Sequence, residues 1–123
     1  MTPRRSVAVP LVAPRNYLRP CLLLLLAEGT SHGYDLLEQL AALGLSRVDP
    51  GGVYRCLRAM DEEGLVRSRW EPSSQGPARR TYEVTDAGRD WLRVAAESVE
   101  EAHRVLEAFR HRLLLVEGAD DPT

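Results

Sequence analysis

Residues 49–64 carry the signals for both ends of one helix, and this limits how the chain can fold. Asp49 is one of the residue types whose side chain accepts hydrogen bonds from the first N–H groups of a helix. Pro50 fits the first helical turn, where its missing N–H is not needed, and Gly64 suits the left-handed residue that follows a helix. An apolar stripe lies between them: Val53, Leu57 and Met60. We therefore predict a helix here with this stripe in the core.

The opposite side of the same helix carries Tyr54, Arg55 and Arg58, which gives it an exposed basic surface. A shorter helix is predicted before it, with a cap at Ser31 and a stop at Gly44. The buried face of that helix consists of Leu36, Leu37, Leu40 and Leu43. Two short helices joined by a link of about five residues, the second with an exposed basic face, are typical of a helix-turn-helix.

The segments on either side complete a winged form of this unit. A first helix is predicted to begin between Asn16 and Pro20 and to carry the leucine run 22–26, which is apolar on all sides and therefore central. Residues 65–70 and 79–84 alternate as strands do, and the Pro-, Ser- and Gly-rich stretch between them predicts a long hairpin tip. The predicted fold is mainly α with a small β-hairpin (α+β), a winged helix-turn-helix.

A long helix is predicted after the hairpin, with Thr85 and Asp86 as candidate caps. Its apolar positions follow at alternating spacings of four and three, as in a coiled coil: Trp91, Ala95, Ser98, Ala102, Val105 and Phe109. A single small domain is too short to cover this seam, so we predict that the helix dimerises the protein. We divide the chain into a flexible arm (1–15), a DNA-binding domain (16–84), a dimerisation helix (85–116) and a disordered acidic tail (117–123).

Composition fits one globular domain with tails. The chain has 123 residues, of which 44% are hydrophobic and 28% charged. Its longest apolar run, residues 21–27, is much shorter than the about 20 residues that span a membrane, and no secretory signal is apparent, so we expect a cytoplasmic protein without membrane contact. Cys21 and Cys56 lie on apolar helix faces without metal-ligand spacing, which favours buried thiols.

The net charge of −2 conceals an uneven distribution. Residues 1–20 carry four arginines and no acid, residues 47–93 carry nine arginines against eight acids, and residues 97–123 carry three arginines against seven acids. Nucleic-acid binding depends on a local basic surface rather than on the total charge. The acidic total therefore argues only against an indiscriminate, histone-like binder.

Several segments together resemble the PadR family of bacterial transcriptional regulators. They are Ser-His-Gly-Tyr-Asp-Leu at 31–36, Asp-Pro-Gly-Gly-Val-Tyr-Arg at 49–55, Glu-Glu-Gly-Leu-Val at 62–66, Gly-Pro-Ala-Arg-Arg-Thr-Tyr at 76–82 and Thr-Asp-Ala-Gly at 85–88. The resemblance covers roughly residues 17–110 in the family's order. It implies a winged helix-turn-helix repressor that dimerises through its C-terminal helix and often responds to a small molecule.

The same resemblance places Tyr34, Tyr54, Arg79 and Arg80 on the DNA side. The chain departs from many members at the Gly-Gly pair 51–52, where a polar side chain able to reach a base or phosphate is common. A two-fold dimer would present two such surfaces to a pseudo-palindromic operator in double-stranded DNA. The complete set of predicted DNA-binding residues is Tyr34, Gly51, Gly52, Tyr54, Arg55, Arg58, Gly76, Arg79 and Arg80.

We also expect a small-molecule effector. The long helix and the leucine run are more apolar than a minimal zipper requires, which predicts a pocket near the dimer interface for an apolar or aromatic ligand. Its predicted lining is Leu22, Trp91, Val94, Val99 and Leu106. The alternative is a closed, dry core with no ligand.

Three functions compete at this level: a dimeric DNA-binding repressor, a winged-helix protein-interaction module that does not bind DNA, and a small enzyme. The enzyme is the weakest because the sequence places no nucleophile, phosphate loop or carboxylate pair. His32 and Asp35 lack a third group to orient them, so we expect no catalytic residues. His103 and His111 lack neighbouring ligands, so we expect no metal site and no cofactor.

Overall fold

Three helices, a two-stranded hairpin and a fourth, long helix make up the computed structural model, which describes residues 17–29, 32–45, 47–72 and 76–119. The helices are α1 (Leu18–Glu28), α2 (Gly33–Leu40), α3 (Pro50–Glu62) and α4 (Asp86–Ala119). One 3₁₀ turn, Ala41–Leu43, follows α2, and the strands are β1 (Val66–Glu71) and β2 (Arg79–Val84). This confirms the predicted fold class.

Helix α1 is the centre of the core. Leu22 and Leu23 are fully buried, and Cys21, Leu25 and Leu26 are nearly so. The helix contacts α2, α3, β2 and α4, which is why an all-apolar run is stable here. One member of the run, Leu24, is 36% exposed and lies outside this sandwich.

Helices α2 and α3 pack their predicted stripes against α1. Leu36 and Leu40 of α2 are fully buried, as are Val53, Leu57 and Met60 of α3. The carboxylate of Asp49 accepts hydrogen bonds from the N–H groups of Gly51 and Gly52 at 3.3 and 3.2 Å, and Gly64 has a φ of +81° after the end of α3. Both ends of this helix are confirmed.

The start of α2 differs from our prediction. The residue that caps it is His32, not Ser31, and its side chain makes no capping hydrogen bond. Ser31 lies outside the described residues. His32 instead forms a single-residue antiparallel bridge with Thr81 of β2, so backbone pairing to the hairpin fixes where the helix begins.

The hairpin is a regular antiparallel pair that continues the core. Val66 lies opposite Val84, and the register then runs through Ser68 with Tyr82 and Trp70 with Arg80 to Glu71 with Arg79. Its base is buried at Val66 and Tyr82, whereas its outer half is exposed. The wing therefore projects from the domain beside α3.

Helix α4 begins at the base of the wing and extends far beyond the domain. The hydroxyl of Thr85 accepts a hydrogen bond from the N–H of Gly88 at 3.0 Å, which confirms the predicted cap. The 34 residues of α4 run to Ala119, so residues 117–119, which we had placed in a disordered tail, are helical. The arm (1–15) and residues 120–123 lie outside the described residues. Within the described residues, none of the helices combines the length and apolar composition needed to cross a bilayer.

Candidate nucleic-acid interface

The exposed face of α3 carries the three polar side chains that the sequence placed there. Tyr54, Arg55 and Arg58 are all exposed, and Tyr54 less so at 39%. Arg55 lies 3.4 Å from the carboxylate of Asp49. Both of these side chains are more than 70% exposed, so solvent screens the pair and leaves it weak. Arg55 is thus loosely held over the start of the helix.

The glycine pair at the start of α3 lies beneath that arginine. A Cβ atom at Gly51 would come within 3.2 Å of Nη1 of Arg55, and one at Gly52 within 3.7 Å of Nη2. The N–H groups of both glycines are already engaged by Asp49. Their N–H groups are thus bonded inside the chain, and a Cβ atom at Gly51 would require only a small shift of the exposed Arg55 side chain.

A cleft of about 420 Å³ opens between the start of α2, helix α3 and the wing. It brings together four residues of the predicted DNA-binding set: Tyr34, Tyr54, Arg79 and Arg80. His32, Gly33 and Asp35 complete its lining. Residues far apart in sequence thus form one surface with two phenol rings and two guanidinium groups.

Gly33 sets the distance between the two sides of this cleft. A Cβ atom at this position would lie 2.6 Å from Cε1 and 2.7 Å from the hydroxyl oxygen of Tyr54. No real contact is that short, so only glycine lets the ring of Tyr54 lie against the first turn of α2. The sequence pattern alone did not indicate this requirement.

The guanidinium group of Arg80 is held by two residues of β1 that our prediction missed. Its Nη2 donates to the hydroxyl of Ser68 at 2.9 Å, and its Cζ lies 5.2 Å from the ring centroid of Trp70. Ser68 in turn donates to the carboxylate of Asp61 on α3 at 2.7 Å. Strand alternation puts Ser68 and Trp70 on one face, but only the register brings Arg80 to them.

Arg79 occupies the other face of the hairpin, opposite Glu71. The carboxylate of Glu71 lies 3.2 Å from Nε2 of His32, so that acid faces the start of α2. Among the described residues, neither Arg79 nor Arg58 has a carboxylate within 4.0 Å. Gly76 is exposed with a φ of +124° near the tip, and residues 73–75 between it and β1 lie outside the described part.

Two of the remaining hairpin arginines share one acidic partner. Arg67 and Arg69 both lie against Glu83, and Arg69 is the closer. The hydrogen bond from Arg69, followed by its charge, lowers the pKa of Glu83. Burial raises the pKa of Tyr82, although the nearby charges of Arg80 and Arg58 oppose this. In the described part of the wing, Arg67 and Arg69 thus share Glu83, whereas Arg79 and Arg80 at the cleft have no carboxylate within 4.0 Å.

The predicted dimerisation residues occupy one helix but differ in exposure. Trp91, Ala95 and Ala102 are half-buried, whereas Ser98, Val105 and Phe109 are exposed. Phe109 is 68% exposed, and the apolar run 113–116 beyond it is exposed at every position. The outer half of α4 thus presents a large apolar surface that the described part of the chain does not cover.

The predicted ligand-pocket residues are not brought together. Leu22 is in the core, Trp91 packs on the core, and Val94 and Leu106 are exposed. Val99 alone of these five lines a different groove of about 390 Å³ between α1 and α4. The other lining residues are Tyr17, Pro20, Cys21, Leu24, Leu43, Leu92, Ala95, Ala96 and Glu100.

Arg19 links three helices beside this groove. Its guanidinium group donates to both carboxylate oxygens of Glu63, at 2.6 and 3.0 Å, and lies 5.7 Å from the ring centroid of Trp91. The hydrogen bonds from Arg19 lower the pKa of Glu63. The C-terminal end of α3, the start of α1 and the base of α4 are therefore joined by one side chain.

Metal and thiol chemistry receive no support from the described part of the chain. No group of three or more His, Cys, Asp or Glu residues there is arranged to hold a metal ion. Cys21 and Cys56 are free thiols, and burial raises the pKa of both, which keeps them protonated at neutral pH.

Comparison with known proteins agrees with this geometry. Residues 22–94 match the model of the transcriptional regulator PadR-like family. Transcriptional regulator Rv3488 of Mycobacterium tuberculosis is 36% identical over 86 residues, which are 69% of this chain and 78% of that protein. Members of this family are transcriptional regulators, not enzymes, so the enzyme hypothesis is set aside.

Two solved structures extend the similarity to the fold. A PadR-like transcription factor from Bacteroides fragilis is 27% identical with a TM-score of 0.64, over 75% of this chain and 88% of that one. TM0937, a conserved protein of unknown function described as a potential transcriptional factor, is 32% identical with a TM-score of 0.72, over 86% of this chain and 98% of that one.

Proposed function

Because the chain belongs to the PadR-like family of transcriptional regulators, we propose that it binds a pseudo-palindromic operator as a homodimer and represses transcription there. The observation that carries this proposal is the cleft that gathers Tyr34, Tyr54, Arg79 and Arg80 beside the exposed Arg58. A helix of this kind enters the major groove, and a wing with positive charge reaches the adjacent backbone. Phosphates would then lie against the two wing arginines.

The test is selection of DNA from a random duplex library by the purified protein, followed by binding to the selected duplex at several salt concentrations. Phosphate contacts release counterions, so the affinity must fall steeply as salt rises. An enriched palindrome with this salt dependence supports the proposal. If no sequence is enriched and heparin retention is insensitive to salt, the winged-helix interaction module without DNA binding is the better description.

The homodimer rests on the outer half of α4. Apolar patches as large as the one around Phe109 and the run 113–116 are uncommon on monomers and mark interaction surfaces. A second copy of α4 offers a matching seam through Val105 and Phe109. Two-fold pairing would also set the distance between two copies of α3, which a palindromic operator requires.

Relief by an apolar or aromatic small molecule is the finer part of the proposal. The groove between α1 and α4 has the size of a small-molecule site and an almost wholly apolar lining. A ligand bound there would change operator affinity only if it bound two arrangements of α1 and α4, one that fits the operator and one that does not, with different affinities. Tryptophan fluorescence and operator binding, titrated with planar aromatics in the same samples, test this. A ligand that changes the tryptophan fluorescence but leaves operator affinity unchanged contradicts it.

A further inference from the structure

A continuous chain of polar contacts joins α3 to the wing, the hairpin of β1 and β2. Asp61, in the last turn of α3, accepts a hydrogen bond of 2.7 Å from the hydroxyl of Ser68 in β1. The same hydroxyl accepts a hydrogen bond of 2.9 Å from Nη2 of Arg80 in β2. A serine hydroxyl has one hydrogen to donate and lone pairs to accept with, so Ser68 satisfies both neighbours at once.

The ring of Trp70 holds the same guanidinium group from a second direction. Trp70 lies directly opposite Arg80 in the register, and Cζ of Arg80 is 5.2 Å from the ring centroid. That distance is within the range of a cation–π contact. Trp70 as a whole is 62% exposed, so both it and the guanidinium group of Arg80 are accessible at the surface.

We propose that Ser68 and Trp70 are positioning residues for DNA binding, which fix the guanidinium group of Arg80 on the α3 side of the hairpin for contact with a phosphate. This inference rests on the proposed function and identifies residues that act through Arg80. Arg80 borders the cleft that also contains Tyr54. Arg80 and α3 would therefore contact the DNA at a fixed distance and orientation relative to each other.

The physical reason is the entropy of a long side chain. A free arginine loses much of its rotamer freedom when it is fixed against a phosphate. Contacts with Ser68 and Trp70 remove part of that freedom before DNA arrives. Loss of one net hydrogen bond changes an equilibrium by roughly 2- to 10-fold, so Ser68→Ala should weaken DNA binding by about that factor.

A double-mutant cycle with Arg80 distinguishes positioning from general structural support. The probe is a mixed-sequence duplex, and the four proteins are wild type, Ser68→Ala, Arg80→Ala and the double variant. If Ser68 acts through Arg80, Ser68→Ala weakens binding in the wild-type background and has no further effect once Arg80 is alanine. Equal losses in both backgrounds overturn the proposal.

The salt dependence supplies an independent readout. Arg80→Ala removes one phosphate contact and reduces the slope of log affinity against log salt by about 1. Ser68→Ala leaves the charge in place, so its slope should equal that of the wild type although its affinity is lower. A slope reduced by about 1 shows that Arg80 loses its phosphate contact without Ser68, whereas a larger reduction contradicts the proposal because other phosphate contacts are then lost as well.

Conservative variants act as controls for folding. Ser68→Thr keeps the hydroxyl and should retain affinity. Trp70→Phe keeps an aromatic face and should lose less affinity than Trp70→Leu. Matched losses for phenylalanine and leucine contradict the role of the ring. If the wild-type protein binds no duplex in a salt-dependent way, the proposed function itself fails. If it binds DNA but the effects of the Ser68 and Arg80 variants are additive, only the positioning role fails.

Discussion

The arginines of this surface differ in what already holds them. Arg69 is paired with Glu83, and Arg80 is bonded to Ser68 beneath it. Within the described ranges Arg58, Arg79 and Arg80 have no acidic partner within 4.0 Å. An unpaired guanidinium loses no internal ion pair when it meets DNA. We therefore expect larger single-residue effects on binding from Arg58, Arg79 and Arg80 than from Arg69.

Arg58→Ala should weaken the best operator selectively, by about 1 to 3 kcal/mol, because a base-edge contact made by arginine contributes about that much discrimination. The measurement is affinity for the selected operator and for a scrambled duplex at one salt concentration. Arg104→Ala is the control, since Arg104 is a similarly exposed arginine on α4. Equal losses for operator and scrambled duplex would show that Arg58 contacts only the backbone.

The double variant Arg79→Ala with Arg80→Ala should behave in the opposite way. Both side chains line the cleft, from opposite faces of the hairpin, and phosphate contact there carries no sequence information. Affinity should fall alike for all duplexes, and the slope of log affinity against log salt should flatten by about 2. An unchanged slope would mean that the wing does not contact phosphate.

Local sequence signals predicted the ends and the buried face of α3. They could not predict contacts between segments that are distant in sequence. Asp49, Pro50 and Gly64 act within one helix, and the stripe of Val53 and Met60 follows from helical periodicity, so these predictions were confirmed. The contact between Ser68 and Arg80 depends on the register of the two strands. The irregular sequence of the hairpin tip does not indicate that register. The start of α2 depends on a backbone bridge to β2, which no nearby residue encodes.

At the scale of elements, the wing and the long helix meet at a junction that leaves no room for a side chain at Gly88. A Cβ atom at Gly88 would lie 2.1 Å from the carbonyl oxygen of Leu65 and 2.7 Å from a methyl group of Val84. The Thr85 hydroxyl also accepts from the Gly88 N–H at this point. The first turn of α4 is thus pressed directly against the end of the loop that enters β1.

Gly88→Ala should destabilise the protein by about 1 to 3 kcal/mol or more, because backbone cannot move aside as a side chain does. Chemical denaturation of the variant and the wild type gives the free energy of unfolding. Gly118→Ala is the matched control, since nothing lies within 4 Å of a Cβ atom there. A Gly88→Ala protein as stable as the control would show that this junction is loose.

The pair formed by Arg19 and Glu63 should make the α1–α3 contact sensitive to acid. The pKa of Glu63 is lower in the folded protein than its ordinary value, chiefly through the hydrogen bonds from Arg19. Its contribution to stability is therefore complete above the ordinary glutamate pKa and is lost as pH falls through the lowered value. Glu63→Gln should show a smaller fall in stability on acidification, and equal pH profiles would contradict this.

At the scale of the whole molecule, α4 divides into two parts. Trp91 and Leu92 pack on the core of the domain, whereas the helix beyond residue 103 is exposed at every described position. Isolated amphipathic helices are marginal in water, and most of their stability in proteins comes from packing. The outer part of α4 therefore needs a partner to be stable, and the proposed second copy supplies one.

Phe109→Asp should separate the proposed dimer, because an unpaired charge buried in an interface costs several kcal/mol. Light scattering at micromolar concentration measures the molecular mass. Arg104→Asp places the same side chain outside the apolar seam and should leave the dimer intact. A Phe109→Asp protein that is still dimeric would place the interface elsewhere.

The length of α4 also has a mechanical consequence. Its 34 residues form a rod about 51 Å long, so a tilt of one degree at its base moves its far end by about 0.9 Å. At the base of α4, Arg19 contacts both the ring of Trp91 and the carboxylate of Glu63, which directly follows α3. A tilt of α4 would therefore be passed to α3 through Arg19, Glu63 and Trp91, and to the wing through the close contacts at Gly88.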